Sequence, residues 1–156
     1  MAERSVYEQA LVFLEFKARS VAELRRKLLQ KGGSAEEVDE VIQRLLDQKL
    51  LDDAGYARQF ARGKLASAGA SRHRIAQELS RKGIRRDAAN EAIETLTEEE
   101  GIDPMAAASR VARKKWKALQ SLDEVTRKRR LYAFLARRGF NPDEIRMLMR
   151  EVEAES

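Results

Sequence analysis

The chain has 156 residues and a net charge of +5, and 37% of its residues are charged. Strong helix formers (Ala, Leu, Glu, Arg and Lys) dominate, whereas there are only two prolines and 6% aromatic residues. The lack of cysteine excludes disulfides and thiolate metal sites, and the single histidine cannot build a histidine metal cluster. We find neither a run of about 18 apolar residues, which a membrane span would need, nor the basic and apolar regions of a signal peptide. The composition therefore predicts a helical, cytoplasmic protein that does not enter a membrane.

The excess positive charge lies in the last third of the chain. Residues 1–50 and 51–100 each carry nine basic and nine acidic side chains, whereas residues 101–156 carry thirteen basic and eight acidic ones. A basic end suggests an acidic partner, either nucleic acid or an acidic protein surface. The alternative is that this charge only keeps the protein soluble.

An internal repeat appears at three places where a basic residue precedes a glycine. These pairs are Lys31-Gly32, Lys82-Gly83 and Arg138-Gly139. Apolar residues stand eight and four positions before each glycine, so they lie on one face of a helix. The glycine favours the left-handed backbone that ends helices. The pattern predicts three equivalent helices with these apolar positions: Leu24 and Leu28, Ile75 and Leu79, and Leu131 and Leu135.

A second amphipathic pattern restarts after each glycine. Apolar residues stand six, ten and thirteen positions after each glycine: Val38, Ile42 and Leu45; Ala89, Ile93 and Leu96; and Ile145, Met149 and Val152. Capping-box pairs mark two of the starts, Ser34 with Glu37 and Asn141 with Glu144, and Ser20 with Glu23 marks the preceding basic helix in the same way.

A third helix is predicted before each pair. In the second and third repeats its start is marked by Asp52-Asp53, which we interpret as helix N-caps, and by Asp103-Pro104. We expect the segment Ala66–Ser71 to be a short flexible turn that ends at Ser71 as an N-cap. The sequence thus predicts an all-α fold of three tandem three-helix repeats, at residues 1–50, 51–100 and 101–156. Because each repeat has little core of its own, neighbours should pack into an elongated, curved array.

No catalytic constellation is present in the sequence. The only imidazole, His73, stands between two arginines, where we interpret it as a surface residue. Gly63-Lys64 lacks the other residues of a phosphate-binding loop. Trp116 could stack on a base, but we expect it to pack inside the third repeat. We therefore predict a binding protein that is not an enzyme and uses no cofactor or metal.

Basic residues concentrate on the middle helix of each repeat, opposite a third helix rich in acid. An acidic last helix would be repelled by phosphates, so major-groove reading of the helix-turn-helix kind is not expected. Any nucleic acid should instead meet the middle helices, mainly through its phosphates. The candidate binding residues are Arg25, Arg26, Arg72, Arg74, Arg81, Lys82, Arg127, Lys128, Arg129, Arg130, Arg137 and Arg138.

The chain resembles the RecX family of bacterial recombination regulators over nearly its full length. Four segments at 20–28, 51–57, 75–84 and 134–140 carry the resemblance through their order and spacing. Two positions depart from the family pattern. Gly55 stands between the Asp-Asp-Ala segment and the aromatic Tyr56, and Ser67-Ala68-Gly69-Ala70 replaces a Gly-Tyr-Gly-Pro turn.

This resemblance implies a fold of three three-helix repeats that binds the RecA recombinase, and we expect the protein to be a monomer. The resemblance implies binding to the RecA filament on single-stranded DNA, where the basic residues could also reach the DNA. It also implies modulation, usually inhibition, of RecA's ATPase, strand-exchange and co-protease activities. Two other readings stay open from the residues alone: a DNA-binding repeat protein that needs no recombinase, and a helical scaffold for another protein.

Overall fold

The computed structural model describes residues 3–155, which form nine α-helices and one π-helical segment and contain no β-strand. Each of the three predicted units contributes three α-helices. They are α1 (Val6–Phe16), α2 (Val21–Gln30) and α3 (Ala35–Asp47); α4 (Asp53–Gly63), α5 (Arg72–Arg81) and α6 (Arg86–Glu100); and α7 (Pro104–Ala118), α8 (Glu124–Arg137) and α9 (Pro142–Ala154). The π-helical segment, Lys64–Ala68, extends α4. The predicted all-α fold of three three-helix repeats is confirmed.

Each unit has a hydrophobic core of its own. The six apolar residues predicted for the middle helices, α2, α5 and α8, are all completely buried. The third helices bury their predicted positions in the same way, with Met149 packed at the edge of its core. The three cores therefore follow from one repeated pattern.

The ends of the middle helices follow the predicted capping chemistry. Gly32, Gly83 and Gly139 have φ angles of 97°, 81° and 95°, in the left-handed region where a side chain is strained. The N–H that follows each glycine donates back to the carbonyl of the buried leucine near the helix end. Complete capping boxes start α3 at Ser34 and α9 at Asn141. These helix boundaries were thus predictable from short motifs.

Three expectations about helix starts need correction. Ser20 caps α2 by accepting from the Glu23 N–H, but the Glu23 carboxylate contacts other residues and does not complete the box. Asp52 stands at the N-cap position of α4 without a side-chain capping bond. Asp53 instead accepts the Val21 N–H of α2 at 2.9 Å, because α2 packs against the start of α4.

The predicted flexible turn at Ala66–Ser71 is helical over its first three residues. Its first residues continue α4 as the π-helical segment, which ends at Gly69 with φ of 58°. A Cβ at Gly69 would lie 2.6 Å from Val111 Cγ2, so the turn is packed against α7. Ser71 caps α5 as predicted, through the Arg74 N–H.

The molecule exposes a large surface for its mass. Its accessible area is 9960 Å² at 17.8 kDa, compared with roughly 8000 Å² for a compact monomer of this mass. The excess agrees with an elongated array of small units. Within the part of the chain that the structure describes, no helix is long and apolar enough to cross a membrane.

Candidate partner-binding interface

Units one and two meet where the N-terminal turn of α2 contacts the C-terminal turn of α5. The Ser20 hydroxyl donates to the Lys82 carbonyl oxygen at 2.6 Å. A Cβ at Gly83 would lie 2.2 Å from the Ala22 Cβ, so glycine is required for this close approach. Glu23 accepts the Tyr56 hydroxyl at 3.1 Å and lies 3.8 Å from the Lys82 ammonium. We call this contact joint one.

Units two and three meet in the same way, at joint two. The N-terminal turn of α5 lies on the C-terminal turn of α8, where the Ser71 N–H donates to the Arg138 carbonyl at 3.1 Å. The Arg74 guanidinium donates to the Arg137 carbonyl, also at 3.1 Å. A Cβ at Gly139 would lie 2.4 Å from Ser71 Oγ and 2.7 Å from Arg74 Cβ.

The two joints connect the middle helices in one row, with the N-terminus of each helix on the C-terminus of the next unit's helix. This arrangement places the positive end of one helix dipole on the negative end of the next, which is favourable. It also brings the basic residues of neighbouring units together. The repeat pattern predicted the three basic helices but not that they would meet end to end.

A cleft opens at each joint, and the two clefts are neighbours because they share Lys64 and Glu78. We call the combined surface the joint groove. It contains two carboxylates, Glu23 and Glu78. Its seven cations are Arg26, Lys64, Arg74, Arg81, Lys82, Arg137 and Arg138. The groove is therefore strongly positive, and an acidic partner fits it best.

Two phenylalanine rings line the groove beneath its cations. The ammonium groups of Lys64 and Lys82 lie 5.5 and 5.6 Å from the Phe60 ring centre. The Arg138 guanidinium lies 4.4 Å from the centre of Phe134. These cation–π contacts hold long side chains in place, so less entropy is lost when they bind a partner.

The carboxylates of the groove fix its geometry. Glu78 lies 3.2 Å from Arg74 and 3.5 Å from Lys64, so it orders cations of both clefts. Glu23 accepts the Tyr56 hydroxyl, and burial together with this hydrogen bond raises the pKa of Tyr56 to about 12. Both carboxylates therefore position neighbouring groups within the groove.

The structure divides the twelve predicted binding residues into two sets. Six lie in the joint groove: Arg26, Arg74, Arg81, Lys82, Arg137 and Arg138. The other six line neither cleft: Arg25, Arg72, Arg127, Lys128, Arg129 and Arg130. Lys64 belongs to the groove but was not predicted, because the prediction was confined to residues on or next to the middle helices.

Three of the residues outside the groove pair with acid on the third helix of their own unit. The pairs are Arg25 with Asp39 at 3.1 Å, Arg72 with Glu94 at 3.6 Å, and Lys128 with Glu153 at 3.4 Å. The expectation of opposed basic and acidic faces is thus wrong along this edge, where the two helices neutralise each other. Such exposed pairs contribute little stability, but they reduce the positive field on this side.

Arg127 serves the core of unit three. Its guanidinium lies 3.6 Å from the centre of the Trp116 ring and donates twice to the Trp116 carbonyl, at 2.7 and 3.0 Å. Trp116 is only 7% exposed and packs in the core, as predicted. Arg129 and Arg130 are exposed on α8. Exposed His73 also agrees with its interpretation as a surface residue.

Comparison with known proteins finds matches to three consecutive segments of the chain. Family models for the first, second and third three-helix domains of RecX match residues 7–45, 52–93 and 102–149. A Regulatory protein RecX from Pelodictyon phaeoclathratiforme is 37% identical over 90% of this chain and 84% of its own length. The chain belongs to the RecX family. A second Regulatory protein RecX, from Prosthecochloris aestuarii, is 31% identical over 96% of this chain and 94% of its own.

Solved structures share the fold. The crystal structure of RecX from Lactobacillus salivarius superposes with a TM-score of 0.80 at 23% identity, covering 96% of this chain and 95% of its own. A second crystal structure, of a regulatory protein RecX, gives 0.76 at 21% identity over 93% of this chain and 71% of its own. The resemblance inferred from four short segments is therefore confirmed for the family and for the fold.

Proposed function

We propose that this RecX-family chain binds the RecA filament on single-stranded DNA and modulates, by inhibition, its ATPase, strand-exchange and co-protease activities. The observation that carries this proposal is the joint groove, a positive surface that continues across two joints and all three units. The family's name as a regulatory protein agrees with a role in binding.

The groove suits a repeating acidic partner better than an isolated ligand. Its seven cations come from all three units, so one extended partner can contact successive units at once. Several weak contacts then combine through effective concentration. A filament presents such a partner as acidic protein surface, DNA phosphates or both.

The proposal includes no reaction of the chain's own and no cofactor, and it places the protein in the cytoplasm with the DNA-repair machinery. The regulator would act by occupying the filament, while RecA supplies the nucleotide chemistry. The ATPase test is a comparison of RecA's DNA-dependent hydrolysis with and without the chain. A lower rate supports inhibition, whereas hydrolysis by the chain alone would contradict a purely binding role.

Charge reversal separates the groove from the rest of the basic surface. The double variant Arg81→Glu with Arg137→Glu changes two exposed groove cations, and Arg129→Glu with Arg130→Glu makes the matched charge change on exposed α8. We expect the groove variant to lose at least about tenfold in affinity for RecA-coated single-stranded DNA, and the control to lose much less, since charge effects at an interface fall with distance and screening. Equal losses would show that only net charge matters and would remove the groove from the proposal.

A further inference from the structure

The row of middle helices has two ends that take part in no joint, the C-terminus of α2 and the N-terminus of α8. At each joint the glycine that closes a middle helix is covered by the N-terminal turn of another middle helix. A Cβ at Gly83 or Gly139 would lie within 3 Å of that turn. A Cβ at Gly32, the equivalent glycine of unit one, would meet no atom of residues 3–155 within 4 Å. The C-terminal end of α2 therefore displays an uncovered joint surface, which we call the acceptor end.

The acceptor end has the components that joint one uses. In joint one, Lys82 and Phe60 of α4 line a cleft together with Glu23 and Arg26 of α2. In unit one, Lys31 and Phe13 of α1 line a cleft of about 480 Å³ together with Glu3, Arg4 and Val12. The Lys27 ammonium lies 5.5 Å from the Phe13 ring centre, as Lys64 and Lys82 lie over Phe60.

The opposite end of the row displays the matching turn. The N-terminal turn of α8 starts at the N-cap Asp123, followed by Glu124 and Val125. Val125 is 74% exposed, although valine is normally buried. It stands two residues after its N-cap, as Ala22 does after Ser20 in the turn that packs on Gly83. We call this turn the donor end.

We propose that copies of this chain associate head to tail, with the donor end of one copy on the acceptor end of the next. Val125 would pack on Gly32, Val12 and Phe13, covering apolar surface at both ends. The carboxylates of Asp123 and Glu124 would face the cations Lys31 and Arg4. The helix dipoles would align as they do inside the chain, continuing the row of middle helices across the contact.

Such a contact is heterologous, because it joins two different surfaces, and it therefore allows assemblies larger than a dimer. The monomer expected from the sequence then applies to dilute protein. Association does not depend on RecA, so this inference and the proposed function can fail separately.

The test is sedimentation of the isolated protein up to roughly 1 mM, the weak end of the affinity scale. We expect the weight-average mass to rise with concentration beyond a dimer. Val125→Lys blocks the donor end and Lys31→Glu blocks the acceptor end, and each should hold the protein at the monomer mass. Met147→Lys, which changes an apolar residue 53% exposed on α9, is the matched control and should associate like the parent. All three positions are exposed, and helical circular dichroism confirms that each variant folds.

Mixing the two blocked variants gives the decisive result. Val125→Lys keeps its acceptor end and Lys31→Glu keeps its donor end, so the mixture should recover an association that neither variant shows alone. A contact of one end with itself would instead leave one of the two variants associating on its own. The proposal is overturned if the parent stays monomeric, if the control variant loses association, or if the mixture shows no dimer.

Discussion

At the scale of single residues, joint one depends on a glycine that has two separate reasons to be glycine. Gly83 has a left-handed backbone, and its missing Cβ leaves room for Ala22. Gly32 has the same backbone conformation, but its missing Cβ would contact none of the residues that the structure describes. Substitutions at Gly32 and Gly83 can therefore distinguish the free-energy cost of backbone strain from the cost of overpacking at a joint.

Gly32→Ala should cost about 1–2 kcal/mol of unfolding free energy, the penalty for a left-handed alanine. Gly83→Ala should cost about 1–3 kcal/mol more, because the added methyl overpacks the joint. Urea unfolding followed by circular dichroism measures both variants. Equal losses of unfolding free energy in the two variants would mean that joint one accommodates the added methyl without a packing penalty. Close packing at joint one would then not stabilise the contact between the units.

Tyr56 makes the unfolding free energy of the protein fall at high pH. Its pKa is raised from 10.0 to about 12 in the folded protein, so the folded state keeps the phenolic proton when the unfolded chain loses it. The stabilisation is complete below pH 10 and is lost as the pH rises through 12. We expect the difference in unfolding free energy between the parent and Tyr56→Phe to shrink across this window. A difference that stays constant from pH 9 to 12 would contradict the raised pKa of Tyr56, which burial and the hydrogen bond to Glu23 together produce.

At the scale of helices, capping and apolar spacing were predictable because they depend on residues within one turn of each other. The capping boxes at Ser34 and Asn141 and the glycine stops are such local features. The roles of Asp53 and Lys64 were not predictable, since both contact residues distant in the chain. The π-helical segment likewise reflects packing of its turn against α7.

Asp53 caps a helix of the neighbouring unit, and Asp52 provides the control beside it. Asp53→Ala removes the acceptor for the Val21 N–H and should cost about 1 kcal/mol, as other lost helix caps do. Asp52→Ala removes no side-chain capping bond and should cost less. Thermal unfolding ranks the two variants, and a larger loss for Asp52→Ala than for Asp53→Ala would contradict the capping role of Asp53.

At the scale of the whole molecule, the site was only partly predictable. The sequence predicted binding residues on or next to the middle helices, and six of the twelve meet in the joint groove, whose role in binding stays a prediction. The excess positive charge of residues 101–156 suggested that an acidic partner binds unit three, whereas the groove extends over both joints and all three units. Local ion pairs on the third helices and the Arg127–Trp116 stack engage four of the other six, and those contacts exist only in the folded units.

The most direct test of the account is a salt titration of binding to naked single-stranded DNA and to RecA-coated DNA, side by side. If all seven groove cations neutralised phosphates, log affinity would fall against log salt with a slope of roughly −5. We predict tighter binding to the coated strand at physiological salt, a slope shallower than this because protein contacts share the binding, and a reduced RecA ATPase. Tighter binding to the naked strand with no change in the ATPase would contradict the filament-regulator account and favour a DNA-binding repeat protein.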